Sequence, residues 1–270
     1  MSSEVLYEVK RPKSLTEMSW AEVADALKET DTIIIPVGST EQHGPHLPLG
    51  TDTLQTIDMV RFTAMRLESE GVKVVPGPAI PFGLAPYHMD FPGTISLRPE
   101  TFHALLMDIC RCLIGHGFRN MYLFLGHGGN WGAMQIVAHE LTRETGANVV
   151  ALNWLPYLHK EYPKILKLND SSHAGEGETS RSLVSHPGLV LRERMQVLMM
   201  KEKADELEGE DHPLIGGGVL NGNRSMKDAT PIGSMGNPTV ATAETGQKVY
   251  DVISKWACSV IKSDLARQAK

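Results

Sequence analysis

The sequence predicts an α/β fold built around a central, mainly parallel β-sheet. Short apolar runs rich in β-branched residues alternate with helical patterns between residues 30 and 155, and this alternation is typical of βαβ units. The two most unusual polar segments, 38–52 and 126–130, each lie directly after a predicted strand. Because ligands bind at the carboxyl ends of the strands in such sheets, we expect the functional site there.

The first predicted elements surround the first of these polar segments. Residues 19–29 have helical periodicity after a capping box, and residues 32–37 are a continuous β-branched run typical of a strand covered on both faces. A helix is predicted over 52–69 and a short strand over 72–75. The loop that follows, 76–97, is rich in proline and glycine, and a loop of that length inside a domain is usually functional.

The alternation continues to residue 152. A helix is predicted over 99–116, because proline fits the first turn of a helix and the glycine at 117 is a stop signal. A buried strand is predicted over 121–125, a helix from about 130 to 144, and a further strand over 148–152. The second polar segment therefore joins a strand to a helix.

The C-terminal third is less regular. Helical patterns are present at about 177–185, 191–207 and 240–266. Residues 208–238 are rich in glycine, asparagine and proline, which indicates a long surface loop or an oligomer contact. We found no internal repeat and no low-complexity tract.

Composition excludes several classes of protein. The chain has 270 residues and a net charge of −6, which argues against a nucleic-acid partner because phosphate binding needs basic surface. Its three cysteines are an odd number and include Cys110 and Cys112 in one apolar helical run, so we expect no disulfide framework. We see no signal peptide and no run of about 20 apolar residues that could cross a membrane. We therefore expect a soluble, cytoplasmic protein.

Glu41, His43 and Asp52 form the first group of candidate metal ligands. Two carboxylates and an imidazole after one strand supply the mixed oxygen and nitrogen ligands that Zn²⁺, Mn²⁺ or Fe²⁺ accept. Alternate positions on an extended segment place Glu41 and His43 on the same side, and Asp52 could bridge two ions through its two oxygens. The competing interpretation is that the acids are capping or solvated groups and that His43 is an ordinary loop histidine. His46 is a further candidate, more suited to supporting the ligands.

His127 is the next candidate ligand. It lies at a predicted strand end between glycines, which let a ligand approach the backbone closely. The competing interpretation is a glycine-rich phosphate cradle that leads into the following helix. The segment lacks the glycine and lysine spacing of a phosphate-binding loop.

A third cluster, His173 with Glu176 and Glu178, places two acids and a histidine within six residues. These groups can supply a metal ligand, a general acid or base, or both. Residues 178–180 could instead be an ordinary acidic first turn of a helix. Whether Glu176 or Glu178 is the ligand stays open at this point.

These motifs together resemble the creatininase (creatinine amidohydrolase) family. The resemblance covers about residues 15–262. The matching motifs, in family order, are Glu41-x-His43, Asp52, Phe91-Pro92-Gly93-Thr94 after His88, Gly126-His127-Gly128-Gly129-Asn130, His173 to Ser180, and Gly236-Asn237-Pro238 followed by Ala241 to Glu244. The family implies one α/β domain over residues 1–270, a three-layer sandwich with a central, mostly parallel sheet. It also implies two divalent metal ions (zinc, manganese or iron) and a homo-oligomer, often a hexamer.

The resemblance also implies a set of metal ligands. Carried over by position, Glu41 and His127 hold one metal, His43 holds the other, and Asp52 bridges them. In creatininase the histidine that corresponds to His127 is followed two residues later by a glutamate, which completes the second site. Here that position is Gly129, and we expect a ligand from the third cluster, Glu178, to replace it.

The remaining site residues concern proton transfer and substrate. His173 matches the catalytic proton-transfer histidine of the family. Tyr87, His88 and Trp154 are the predicted substrate-binding residues, with Trp154 as a candidate lid. Ala85 stands where many members have a serine, and this departure disfavours creatinine as the substrate.

Three functions are compatible with the sequence. The first is hydrolysis of a small cyclic amide or formamide by a metal-activated water, with His173 passing a proton to the leaving group. The second is hydrolytic carbon–carbon ring opening of an inositol-derived cyclic ketone. The third is a non-catalytic small-molecule binding or assembly protein that kept the fold. No basic cluster suited to a nucleotide phosphate lies near the predicted site.

Overall fold

Four parallel strands form the sheet in this computed structural model, which describes residues 12–168, 173–198 and 225–268. The strands are β1 (Thr32–Val37), β2 (Val75–Pro76), β3 (Asn120–Leu125) and β4 (Asn148–Leu152). Their order across the sheet is β2-β1-β3-β4, and all three pairings are parallel. The predicted parallel sheet is confirmed.

Helices connect and follow these strands. The α-helices in the described residues are α1 (Trp20–Ala26), α2 (Thr51–Ser69), α3 (Pro99–His116), α4 (Trp131–Thr145), α5 (Leu155–Ile165), α6 (Glu176–Ser185), α7 (Met226–Ala229) and α8 (Ala243–Gln268). Short 3₁₀ helices include Pro86–His88 in the long loop and Gly128–Asn130 before α4. No helix among the described residues has the length and apolar composition that crossing a membrane requires.

The helices cover both faces of the sheet. One apolar core joins alternate residues of β1 and β3, such as Ile35 and Leu123, to α3 and α4. The other joins the intervening residues, such as Ile34 and Phe124, to α2, α5 and α8. The strands are therefore buried on both faces, which explains their continuous apolar runs. The arrangement is the expected three-layer sandwich.

The strand order has a switch point between β1 and β3. From β1 the chain moves outward to β2, whereas from β3 it moves in the opposite direction to β4. Val37 and Leu125, the last residues of β1 and β3, are paired. The polar segments after the two strands thus meet at the same edge, at the position where sheets of this type bind ligands.

Two parts of the C-terminal half differ from the predictions. Helix α5 was not predicted, since prolines at 156 and 163 obscure its pattern. The helix predicted over 191–207 is wrong in its described part: residues 191–198 contain only the 3₁₀ helix Arg192–Arg194. Leu191 donates its N–H to His46 and Leu198 pairs with Gly236, so long-range hydrogen bonds replace the helical ones. Residues 199–207, and residues 208–224 of the predicted loop, lie outside the described residues.

Candidate metal centre

The five predicted metal ligands come together at the edge between β1 and β3. Glu41 and His43 lie in the loop after β1, and Asp52 lies in the first turn of α2. His127 is the second residue after the end of β3. These four residues are buried. The fifth, Glu178, lies in the first turn of α6, and its side chain is 20% exposed. Asp52 and Glu178 are both at helix N-termini, where the positive end of the helix dipole stabilises a carboxylate.

Asp52, Glu41 and His127 form one group of ligand atoms. His127 Nδ1 lies 3.0 Å from Glu41 Oε2 and 3.3 Å from Asp52 Oδ2. Both carboxylate oxygens are buried, and neither has a well-aligned hydrogen-bond donor among the described residues. Buried carboxylate oxygens without donors are costly, so this group is arranged to bind a cation.

Asp52 also belongs to a second group, with His43 and Glu178. His43 Nε2 lies 3.2 Å from Asp52 Oδ1 and 3.9 Å from Glu178 Oε2. In each group the ligand atoms lie within 4.8 Å of one another. The two oxygens of Asp52 therefore face two different histidines, as a bridging carboxylate requires.

Hydrogen bonds on the far side of each imidazole orient its ligand nitrogen. His127 Nε2 lies 2.9 Å from Leu84 O, and His43 Nδ1 lies 3.1 Å from Glu41 O. A carbonyl oxygen can only accept, so these nitrogens carry the protons and the opposite nitrogens face the carboxylates. Metal-binding histidines commonly donate their other ring N–H to a carbonyl or carboxylate in this way. The residues present therefore fit divalent metal ions.

Charge in the cluster shifts the pKa values strongly. Burial disfavours protonation of His43, but the carboxylates of Asp52, Glu178 and Glu41 outweigh it and raise the pKa of His43 to about 10. Burial likewise opposes protonation of His127, and Glu41 is the main group that raises its pKa well above the ordinary value. Burial alone would raise the pKa of Asp52, but the two histidines hold it below its usual range. These shifts favour protonated histidines beside ionised carboxylates.

His173 lies beside the second group of ligands. Its Nε2 is 2.9 Å from Gln42 O, its Nδ1 is 3.9 Å from Glu178 Oε2, and its ring centroid is 4.5 Å from that of His43. Burial and the neighbouring His43 lower the pKa of His173. A neutral imidazole at this position is suited to accept a proton. The ligand atoms of His173, Glu41 and His43 also lie within 4.8 Å of one another.

The structure distinguishes Glu178 from Glu176. Glu176 is fully buried, and its two oxygens accept hydrogen bonds from the N–H groups of Lys167 and Leu168, which follow α5. Glu178 instead lies among the candidate ligands, where Ala174 N–H donates to its Oε2 at 2.6 Å. Ala174 has a left-handed backbone, with φ of 55°, and this turn brings its N–H to the carboxylate.

The three predicted substrate-binding residues have different locations. Tyr87 Oη lies 3.2 Å from His127 Nε2, so Tyr87 borders the cluster. His88 is buried within the cluster and is described further below. Trp154 is not placed with them. It lies in the apolar core formed with α2 and α8, where its indole Nε1 donates to Leu125 O at 2.6 Å.

Two residues that contact the candidate site were not predicted from the sequence. Gln42 lies between two candidate ligands, and its side chain contacts both His88 and His173. Arg181 is one turn beyond Glu178 on α6, with its Nη2 3.5 Å from Glu178 Oε1. The spacing of Arg181 from Glu178 was a usable signal, since residues three apart on a helix are neighbours.

Comparisons with known proteins identify the family. The protein-family model for creatininase, described as creatinine amidohydrolase, matches residues 16–261. The mycofactocin precursor peptide peptidase of Mycobacterium ulcerans is 32% identical over 226 residues, covering 81% of this chain and 80% of that protein. The 3-dehydro-scyllo-inosose hydrolase of Thermotoga maritima is 27% identical over 267 residues, covering 93% and 83%. A solved structure of a mutant creatininase of Zn–Zn type has a TM-score of 0.72 at 25% identity, covering 93% and 98%. The chain therefore belongs to the creatininase family of hydrolases.

Proposed function

We propose that this hydrolase cleaves an amide bond in a small polar carbonyl compound, using two divalent metal ions bridged by Asp52. The observation that carries the proposal is the sharing of Asp52: its Oδ2 faces His127 and its Oδ1 faces His43. Glu41 and His127 would complete one site, and His43 and Glu178 the other. The metals are zinc, manganese or iron, which mixed histidine and carboxylate sites accept.

When bound, the two metals would activate a water and polarise the carbonyl oxygen of the substrate. The protein residues would orient and transfer protons around them. His173 holds its Nε2 proton toward Gln42 O, so its Nδ1 is free to take a proton from the water. The same nitrogen would then give that proton to the leaving amide nitrogen. Tyr87, which borders the cluster, would contact the substrate.

The names of the relatives support amide cleavage as the first candidate reaction and carbon–carbon cleavage as the second. The creatinine amidohydrolase of Pseudomonas putida and the peptidase of M. ulcerans both carry names that describe cleavage of a C–N bond, and the peptidase is 32% identical to this chain. The inosose hydrolase from T. maritima covers 93% of the chain at 27% identity, which favours carbon–carbon ring opening of a cyclic ketone as the second candidate. A non-catalytic binding protein is disfavoured because all five ligands and His173 are present.

Metal content per chain tests the centre directly. We expect two ions in the wild type, none or nearly none in Asp52→Ala, and about one in Glu178→Ala. Asp90→Ala, which removes an exposed carboxylate from the long loop, is the matched control and should keep both ions. Full occupancy in both ligand variants would show that the ligands are misassigned.

Activity assays on the same preparations would test the bond that is cleaved. A panel of cyclic amides, formamides, short peptides and cyclic ketones separates the two candidates. Amide turnover that depends on added metal and is lost in Asp52→Ala supports the proposal, whereas turnover of cyclic ketones alone supports the second candidate. By family resemblance we also propose a homo-oligomer, often a hexamer in this family, which light scattering on the metal-loaded protein would measure.

A further inference from the structure

His88 is enclosed by protein on the side where a substrate contact would be needed. It ends the 3₁₀ helix Pro86–His88 and is only 1% exposed. Its Nδ1 lies 2.8 Å from Gln42 Nε2, and its Nε2 lies 3.3 Å from Glu41 Oε1. Both ring nitrogens are therefore occupied by side chains of the loop after β1.

The backbone N–H of Gly44 determines which atom is the donor in the contact between Gln42 and His88. Gly44 N–H donates to Gln42 Oε1 at 3.0 Å, which fixes the orientation of the Gln42 amide and points its NH₂ group at His88. Gln42 therefore donates to His88 Nδ1. The proton of the neutral His88 ring is then on Nε2, which faces Glu41 Oε1.

The other oxygen of Glu41 is the one that faces the metal centre. Glu41 Oε2 lies 3.0 Å from His127 Nδ1 and has no well-aligned hydrogen-bond donor among the described residues. The buried 3.3 Å contact of Oε1 with His88 Nε2 restricts rotation of the carboxylate about its last bond. With Oε1 on the side of His88, Oε2 lies on the side of His127 and Asp52.

We propose that His88, oriented by Gln42, is a positioning residue that holds the metal ligand Glu41, and that it makes no substrate contact. This inference rests on the proposed two-metal function. It replaces the substrate-binding role predicted for His88 from the sequence. Partners of this kind behind a metal ligand contribute roughly 10–100-fold to metal affinity.

Three substitutions at position 88 separate positioning from substrate binding. His88→Phe keeps a ring and removes both nitrogens. His88→Gln carries an amide nitrogen at about the distance of Nε2, whereas in His88→Asn the amide stops at the distance of Nδ1. Met89→Ala, at the adjacent exposed position, is the control for disturbance of the loop.

The measurement is the Zn²⁺ affinity of each metal-free protein, by competition with a fluorescent chelator, after circular dichroism has verified folding. We expect His88→Phe and His88→Asn to lose about 10–100-fold in Zn²⁺ affinity, and His88→Gln and Met89→Ala to retain most of it. At saturating Zn²⁺, KM for a turned-over amide should be unchanged in His88→Gln. If His88→Phe does not fold, the difference in Zn²⁺ affinity between His88→Gln and His88→Asn still tests the proposal.

Two results would overturn the inference. One is wild-type Zn²⁺ affinity in both His88→Phe and His88→Asn, and the other is a raised KM in all three variants at unchanged Zn²⁺ affinity, which a substrate contact predicts. Failure of the proposed function gives a different result, because the wild type itself would then not bind two Zn²⁺ ions.

Discussion

The glycine at position 129 shows how a single residue shapes this centre. A Cβ at Gly129 would lie 2.3 Å from Leu84 O, 2.6 Å from His127 Nε2 and 2.8 Å from Tyr87 Oη. The three groups occupy the space that a side chain at position 129 would enter. A side chain there would therefore disturb the hydrogen bond that orients His127, which agrees with the proposal that Glu178 supplies the ligand instead.

We predict that Gly129→Ala lowers metal affinity. The added methyl group must displace Leu84 O or the His127 ring, and the imidazole then loses the contact that directs Nδ1 toward Asp52. The loss should be about 10-fold or more, as for other changes behind a metal ligand. Zn²⁺ competition with a chelator measures it.

Gly132→Ala is the matched control for that prediction. Gly132 lies in the first turn of α4, with no atom within 4 Å of an added Cβ, and an alanine there should leave metal affinity unchanged. Equal Zn²⁺ affinity in both alanine variants would contradict the steric argument at position 129.

At the scale of elements, the strands and the ligands they carry could be predicted from the sequence. The runs 32–37 and 121–125 are apolar on both faces because helices cover both sides of the sheet. Parallel strands bring their carboxyl ends to one edge, so Glu41 and His127 could be placed together without coordinates. The apolar pattern of the strands and the common carboxyl edge of a parallel sheet were sufficient to predict where Glu41 and His127 lie.

The long-range contacts behind the ligands could not be predicted, although the i,i+3 spacing of Arg181 from Glu178 was a usable local signal. Gln42 contacts His88, 46 positions away, and Arg181 donates to Gln55, 126 positions away. No periodicity encodes such pairs. Trp154 was predicted as a lid from the family resemblance, in which aromatic residues wrap the substrate. Its indole N–H instead donates a hydrogen bond to Leu125 O inside the core.

The location of Trp154 gives a prediction about the packing of α5 against the sheet. Its indole N–H satisfies Leu125 O at the end of β3, directly before the turn that carries His127. We predict that Trp154→Phe lowers the free energy of unfolding by about 1–3 kcal/mol, the cost of leaving a buried carbonyl unsatisfied. Urea unfolding measures it, and KM for the substrate should stay unchanged.

Trp20→Phe is the control for the Trp154 variant, since Trp20 is 85% exposed and should be nearly neutral. A raised KM in Trp154→Phe with unchanged stability would instead support the original lid hypothesis.

At the scale of the whole molecule, the centre joins segments that are far apart in the chain. Candidate ligands come from the loop after β1, the start of α2, the turn after β3 and the start of α6. Such a set does not exist in the unfolded chain, so metal binding stabilises the folded state by mass action. The same set would couple metal binding to protonation, because the carboxylates raise the pKa values of both histidines.

The coupling predicts proton release on metal binding. Nearby carboxylates raise the pKa of His43 to about 10. They also raise the pKa of His127 well above its ordinary value. We therefore expect both rings to be protonated near pH 7.5 when no metal is bound. Metal ligation requires neutral imidazole. Loading both sites should therefore release about two protons. Affinity at the site of His43 should rise with pH up to about 10, roughly tenfold per pH unit. Asp52 contributes no release, since its pKa is held below the usual range.

Titration calorimetry at pH 7.5 in two buffers with different heats of ionisation counts these protons. His43→Ala should release about one proton fewer than the wild type, because only His127 then exchanges a proton for the metal. Release of no protons by the wild type on binding two Zn²⁺ ions would mean that the histidines are already neutral without metal. The buried carboxylates would then need a different counter-charge, and Arg181, which is buried within 3.5 Å of Glu178, is the nearest described cation that could supply part of it.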